Sequence, residues 1–223
     1  MRRYHARLLW GLEGGWANQS VQRPPRHSGQ TWATFLHNHA ADVWACDFLP
    51  ITDLLFRPLY AFFVVELGSR RVVHVGMTHH PTDTWAAQQL HEATPFGTAP
   101  RYLIGDNDST FGPSLARVAQ TRGIDVLRTA DQAPKMNAIW ERFLGSVRRE
   151  FLDQLLILGE AHLRHTLCEY SRYVNAARPH QGMQQRTPMP YGLIQAQVIS
   201  GGQETVRAIP ILGGLHHDYQ RTA

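Results

Sequence analysis

The stretch "LYAFFVVELGSRRVVHVGMT", residues 59–78, constrains the fold more than any other part of the chain. Two runs of β-branched and aromatic residues, 59–67 and 70–78, flank Gly68-Ser69. Runs of that composition read as strands, and so tight a turn between them requires an antiparallel pair. A third run, "VWACDFLPI" at 43–51, precedes them. Together they predict a three-stranded antiparallel meander.

After residue 78 the pattern alternates. "PTDTWAAQQLHEAT" reads as a helix behind a Thr82 or Asp83 cap. "RYLIGD" is a fourth strand, "GPSLARVAQTRG" a helix closed by Gly123, and "IDVLRT" a fifth strand. "NAIWERFLGSVRREFLDQLLIL" carries apolar residues at 139, 143, 147, 151 and 155, which predicts one long helix. "EAHLRHTLCEYSRYVNAAR" predicts a second, stopped before Pro179. A meander followed by alternating helices and strands implies an α/β fold: a mixed five-stranded sheet, three strands antiparallel and two parallel, flanked by helices.

The chain of 223 residues suffices for one core with appendages. Residues 1–40 hold five arginines against one acid, Glu13, and are broken by Gly14-Gly15 and Pro24-Pro25. They read as a basic, weakly ordered arm with a short helix at 31–39. Residues 41–188 form the core, and 189–223, rich in Gly and Gln, an extended tail. No apolar run approaches the ~20 residues of a membrane helix, and the N-terminal stretch is not a signal peptide. Cys46 and Cys168 stand far apart, without ligand-spaced neighbours. A disulfide scaffold or zinc site is therefore not expected, and a cytoplasmic location fits. The histidines, His79-His80 and His216-His217 included, lack the spacing of a zinc enzyme. Net charge is +4, and arginine supplies 21 of 22 basic residues, Lys135 being the exception. That balance is compatible with nucleic acid and equally with GC-rich codon usage.

Three acids stand out. Asp47 interrupts an apolar strand, Asp106 ends another, and Glu141 lies near the start of a helix inside "NAIWERF". Each taken alone has an ordinary reading: an exposed strand residue, a turn aspartate, a solvated helix residue. Their flanks carry more. "WACDF", "LIGDNDSTF", "APKMNAIWERFLGSVRRE" and "YVNAARPH" occur in this order between Trp44 and Pro188. Together they resemble the integrase-core family of insertion-sequence transposases, and Asp106 and Glu141 are 35 apart in number, close to the family's interval.

The resemblance implies a ribonuclease-H-like fold, with Asp47, Asp106 and Glu141 as the catalytic and metal-holding triad. It implies two Mg2+ or Mn2+ ions and a polynucleotidyl transferase that cuts and joins DNA. The chemistry suits these residue types. Neighbouring strands lie ~4.8 Å apart, so two aspartates can share a hard cation that prefers oxygen ligands. Two such ions ~3.5–4 Å apart can clamp the attacking and leaving oxygens of a phosphoryl displacement. Lys135, Arg142, Arg148 and Arg149 are then candidate DNA contacts; Glu141 and Arg148, seven residues apart, share a helix face. Asn107 and Asp108 would order the loop beside Asp106, and Asn137 would position the helix start. Asn175, Arg178 and His180 of "NAARPHQG" chiefly fix a helix C-terminus at Pro179. Trp44, Trp85 and Trp140 read as core anchors.

By the same resemblance the partners are DNA, both element ends and target, further copies of this chain, and a separate helix-turn-helix protein. The location would be bacterial, at the nucleoid. The short first segment suggests a catalytic half, from a split or frameshifted gene or a 5′-truncated copy. Two other functions compete. A catalytically silent remnant that only binds DNA treats the triad as accident. A metal-dependent glycosyltransferase would use Asp106-x-Asp108 and leave Asp47 and Glu141 unexplained.

Overall fold

The computed structural model describes residues 32–95, 97–105, 110–128, 134–189 and 205–222; within these, the side chains of 32, 33, 37, 128, 134–139, 205, 221 and 222 are outside the description. The arm before Trp32 lies outside the described residues.

Helix α1 spans Trp32–His39. The meander follows as β1 (Val43–Thr52), β2 (Pro58–Glu66) and β3 (Val72–Thr78). Then come α2 (Asp83–Ala93), β4 (Tyr102–Gly105), α3 (Pro113–Thr121), β5 (Asp125–Arg128), α4 (Pro134–Glu150) and α5 (Glu160–Ala176). The sheet order is β3-β2-β1-β4-β5. β1 pairs antiparallel with β2 and parallel with β4, which places it at the centre. The expected mixed five-stranded sheet is present.

Strand alternation sends alternate residues of β1 to different cores. Trp44 and Cys46 point to the layer that packs on α2 and α3, with Phe62, Val64, Leu103 and Leu115. Ala45 and Leu49 point to the other layer, with Phe63, Val65, Trp140, Val147 and Leu167. Asp47 lies between Ala45 and Leu49 in the same alternation, so it belongs to the face that α4 and α5 cover.

The two helices on the first face are capped by neighbouring residues. Thr82 accepts from the Trp85 N–H at 3.2 Å and starts α2. Asp83 does not cap its own helix. Its carboxylate accepts the N–H groups of Ser114 (2.7 Å) and Leu115 (3.0 Å), at the start of α3. Gly112 permits this approach, because a Cβ there would lie 2.8 Å from the Asp83 Cγ. Gly123, at φ +69°, closes the turn into β5 without the strain an L side chain would incur.

Two expectations need correction. The long helix from residue 137 to 158 ends at Glu150, and only a short 3-10 turn, Leu152–Gln154, follows. Beyond it Ile157 is buried while Leu156 and Leu158 are exposed, an alternation of extended chain. The Ile157 carbonyl accepts the Leu54 N–H at 2.7 Å. A continuous apolar run such as "LLIL" fits helix and strand periods equally, so the sequence pattern could not place this break. The tail, expected only as an extended segment, is paired over part of its length. β6 (Thr205–Ile211) and β7 (His216–Thr222) form an antiparallel hairpin. Its turn docks on α5, where Leu212 is buried and its N–H donates to Glu169 Oε1 at 2.6 Å. The His216 ring stacks on Tyr173, with centroids 4.8 Å apart.

Candidate active site

Asp47 is a half-buried carboxylate on the central strand, at the register position facing Phe63 of β2. Both of its oxygens are engaged. Oδ1 accepts the Phe48 N–H at 2.7 Å, and Oδ2 accepts the indole Nε1–H of Trp140 at 2.9 Å. The second bond crosses from the sheet to α4. Trp140 is buried, and a buried indole N–H needs an acceptor. Phe143, one turn on, packs edge-to-face on Phe63 at 5.5 Å and lies 5.6 Å from the Trp140 ring. These aromatic contacts seat the N-terminal half of α4 on β1 and β2.

Glu141 follows Trp140 directly, so its Cα is ~3.8 Å from that of a residue bonded to Asp47. Its side chain is exposed. β4 runs parallel to β1, with Ala45 opposite Ile104, and its last residue is Gly105. Asp106, Asn107 and Asp108 lie outside the described residues, as do the side chains of Lys135 and Asn137. The structure therefore ties α4 to β1 through the Trp140–Asp47 bond, and it carries β4 alongside β1 up to the residue before Asp106. Among the described residues no group of three or more His, Cys, Asp or Glu is placed to hold a metal ion. Asp47 and Glu141 nevertheless offer the carboxylate oxygens that a hard divalent cation takes.

The negative charge of Asp47 reaches its neighbour: burial first, and then the Asp47 carboxylate, push the Cys46 thiol far up, so Cys46 is an inert core residue. Of the candidate DNA contacts, Arg148 donates to the Pro50 carbonyl of β1 at 3.4 Å. Arg142 and Arg149 are exposed and line a cavity on the flank of α4.

The "NAARPH" segment is a structural lock, as expected of a helix end. Asn175 pairs through both ends of its amide with Val72, accepting from its N–H (2.8 Å) and donating to its carbonyl (2.9 Å). It thereby closes the start of edge strand β3. Arg178 grips both oxygens of Glu150, its Nε donating to Oε2 at 2.7 Å. His180 is buried, with its ring 3.3 Å from the Val174 carbonyl. Trp44 and Trp140 are core residues, as expected. The bond from Trp140 to Asp47 was not foreseen; its signal is a tryptophan adjacent to a candidate acid on a helix that must cross the sheet.

Residues 122–188 match the integrase core domain family. The chain is 27% identical over 200 residues to the insertion element IS476 uncharacterized 39.2 kDa protein of Xanthomonas euvesicatoria, covering 89% of this chain and 55% of that protein. It is 24% identical over 151 residues to the insertion element IS407 uncharacterized 31.7 kDa protein of Burkholderia multivorans, covering 67% and 54%. The chain thus spans about half the length of the curated relatives it matches. Among solved structures, the HTLV-2 integrase catalytic core domain in complex with magnesium superposes with a TM-score of 0.51 at 14% identity, over 66% of this chain and 92% of that one. The catalytic core domain of BIV integrase gives 0.50 at 17% identity, over 66% and 91%. The architecture is the ribonuclease-H-like fold of these catalytic cores.

Proposed function

We propose that this chain, an integrase-core protein of the bacterial insertion-sequence kind, is the catalytic part of a DNA transposase. It cleaves a phosphodiester bond with a divalent cation and then joins the freed 3′-OH to target DNA. The observation that carries the reading is the Trp140–Asp47 hydrogen bond. It ties α4, the helix that carries Glu141, to the strand of Asp47, and this supports reading the two carboxylates as parts of one site.

In this reading Asp47, Asp106 and Glu141 hold two Mg2+ or Mn2+ ions. When bound, such ions supply positive charge to the phosphoryl group as it is displaced. The chain's own contribution is position. Trp140 and the Phe48 N–H fix the Asp47 carboxylate from both oxygens, so it need not reorganise when substrate enters. Glu141, exposed on α4, faces the solvent from which DNA arrives. Lys135, Arg142, Arg148 and Arg149 bind backbone phosphates along α4, while Asn107, Asp108 and Asn137 order the flanking backbone. The first nucleophile is water, which breaks one P–O bond and leaves a 3′-OH. The second is that 3′-OH, which bonds to a target phosphorus as the target's own 3′ oxygen leaves and takes up a proton. No protein nucleophile is required. The partners are DNA, further copies of the chain and a separate helix-turn-helix protein.

Strand-joining assays on Asp47→Asn, Asp106→Asn, Glu141→Gln and Asp108→Asn test the assignment. The first three keep shape and lose charge, and each should abolish joining while the melting temperature holds. Asp108→Asn should keep substantial activity. A triad variant retaining a tenth or more of wild-type joining removes that residue from the site.

A further inference from the structure

A cavity of about 340 Å3 opens on the flank of α4, between the β2–β3 turn and the segment after α5. Arg142 and Arg149 reach it from α4, and Arg70 from the turn. None of the three makes an ion pair among the described residues; the nearby carboxylates are taken. Glu66 is bonded to Ser69 and Arg71, and Glu150 to Arg178 and to the Tyr170 hydroxyl. The cavity wall therefore carries three uncompensated positive charges.

The backbone around Arg70 is built to place its side chain. Arg70 sits in the left-handed region of the β2–β3 turn, at φ +61°, a conformation uncommon for arginine. Its guanidinium lies against Gly182, where a Cβ would come within 2.6 Å of Nη2. Similarly, Arg149 folds back over Gly145, where a Cβ would meet Nη1 at 3.1 Å. Glycine within a helix costs about 1 kcal/mol relative to alanine, and here it leaves room for that arginine. Burial, and then the charge of Arg142, hold Arg70 below the usual guanidinium range. Partly burying like charges together is unfavourable until an anion arrives.

We propose that Arg70, Arg142 and Arg149 form a phosphate pocket that holds one backbone phosphate of the bound DNA, apart from the carboxylate site. The inference rests on the DNA reading above and adds Arg70 and Gly182 to it. A phosphate suits the pocket better than a protein carboxylate. The two anionic oxygens of a phosphate diester are spread tetrahedrally about phosphorus, so forks from different directions can reach them, whereas the acceptors of a carboxylate lie in one plane. DNA is favoured over a free anion by position. Arg142 follows Glu141, and the stripe of 142, 146 and 149 lies about 100° round the helix from Glu141 and Arg148. A strand held at the carboxylates passes along this flank.

The test is binding of the full chain to a labelled duplex in chelator, over a range of salt. Each phosphate contact contributes about 0.9 to the slope of log K against log salt. Arg70→Gln and Arg149→Gln should each lower the slope by about that amount, and Arg117→Gln, an exposed arginine of α3, should not. Gly182→Ala leaves the net charge and the backbone unchanged, and displaces only the Arg70 guanidinium. It should weaken binding at fixed salt by a factor like that of Arg70→Gln. If Arg70→Gln and Gly182→Ala bind with the affinity and slope of Arg117→Gln, the pocket is wrong. If inorganic phosphate raises the melting temperature of the wild type but not of Arg70→Gln, with duplex slopes equal, the pocket takes free phosphate and the DNA assignment is overturned. Slope loss in a chain that never nicks DNA rejects the transposase reading and supports the pocket; normal nicking with no slope loss rejects the pocket alone.

Discussion

The indole nitrogen of Trp140 is the residue-scale hinge of this account. Asp47 was legible in the sequence because a charge in an apolar strand is out of place. Its orientation was not, since the acceptor of a buried indole depends on which helix crosses which strand. Trp140→Phe tests the bond with little loss of packing. A hydrogen bond to a charged group, lost with its acceptor half-buried, should cost about 1–2 kcal/mol of stability. If that bond holds the Asp47 carboxylate in working position, joining should fall by about tenfold to a hundredfold, the scale on which small misplacements act. Undiminished joining in a folded Trp140→Phe variant would mean that Asp47 needs no such clamp. Arg70 was missed for a different reason: nothing in "GSRR" distinguishes an arginine turned into a cavity from one in solvent until Gly182 is brought opposite.

At the scale of elements, the five strands of the mixed sheet and four of the helices were readable because each has its own period and punctuation. The failures came where period is silent. "LLIL" continues a helical pattern and yet is extended, and the final hairpin carries too few apolar residues to declare itself. Asp83 shows the same limit at a cap: its sequence position suggests α2, while tertiary structure gives it to α3. Asp83→Ala should destabilise the chain by about 1–2 kcal/mol, as for loss of an N-cap. Burial alone would raise this carboxyl, but the N–H groups of Leu115 and Ser114 outweigh it and hold it below the usual range. A folded pKa below the unfolded one gives stability that is complete above the unfolded value of about 4 and is lost as pH falls through the folded one. Thermal melts from neutral pH into the acid range should therefore show the wild type losing its margin over Asp83→Ala. Parallel curves at all pH values would contradict this.

Across the whole molecule, the order β3-β2-β1-β4-β5 makes β1 central and gives it a parallel neighbour. A mixed sheet was legible from a meander joined to α/β alternation; the place of β4 beside β1 was not in the pattern. What the sequence pattern alone could not supply was the seating of α4 on β1 through Trp140. No helix among the described residues is long and apolar enough to cross a membrane. In the proposed function, strand and helix carboxylates form one cation-dependent phosphoryl-transfer site. Its most direct test is nicking of a labelled duplex by the purified chain, in Mg2+, Mn2+, Ca2+ and chelator, beside Asp47→Asn. Nicked product should form with Mg2+ or Mn2+. It should be absent with Ca2+, whose looser coordination does not hold the in-line geometry, absent in chelator, and absent in the variant. Nicking that persists in chelator, or in Asp47→Asn with Mg2+, would contradict the account.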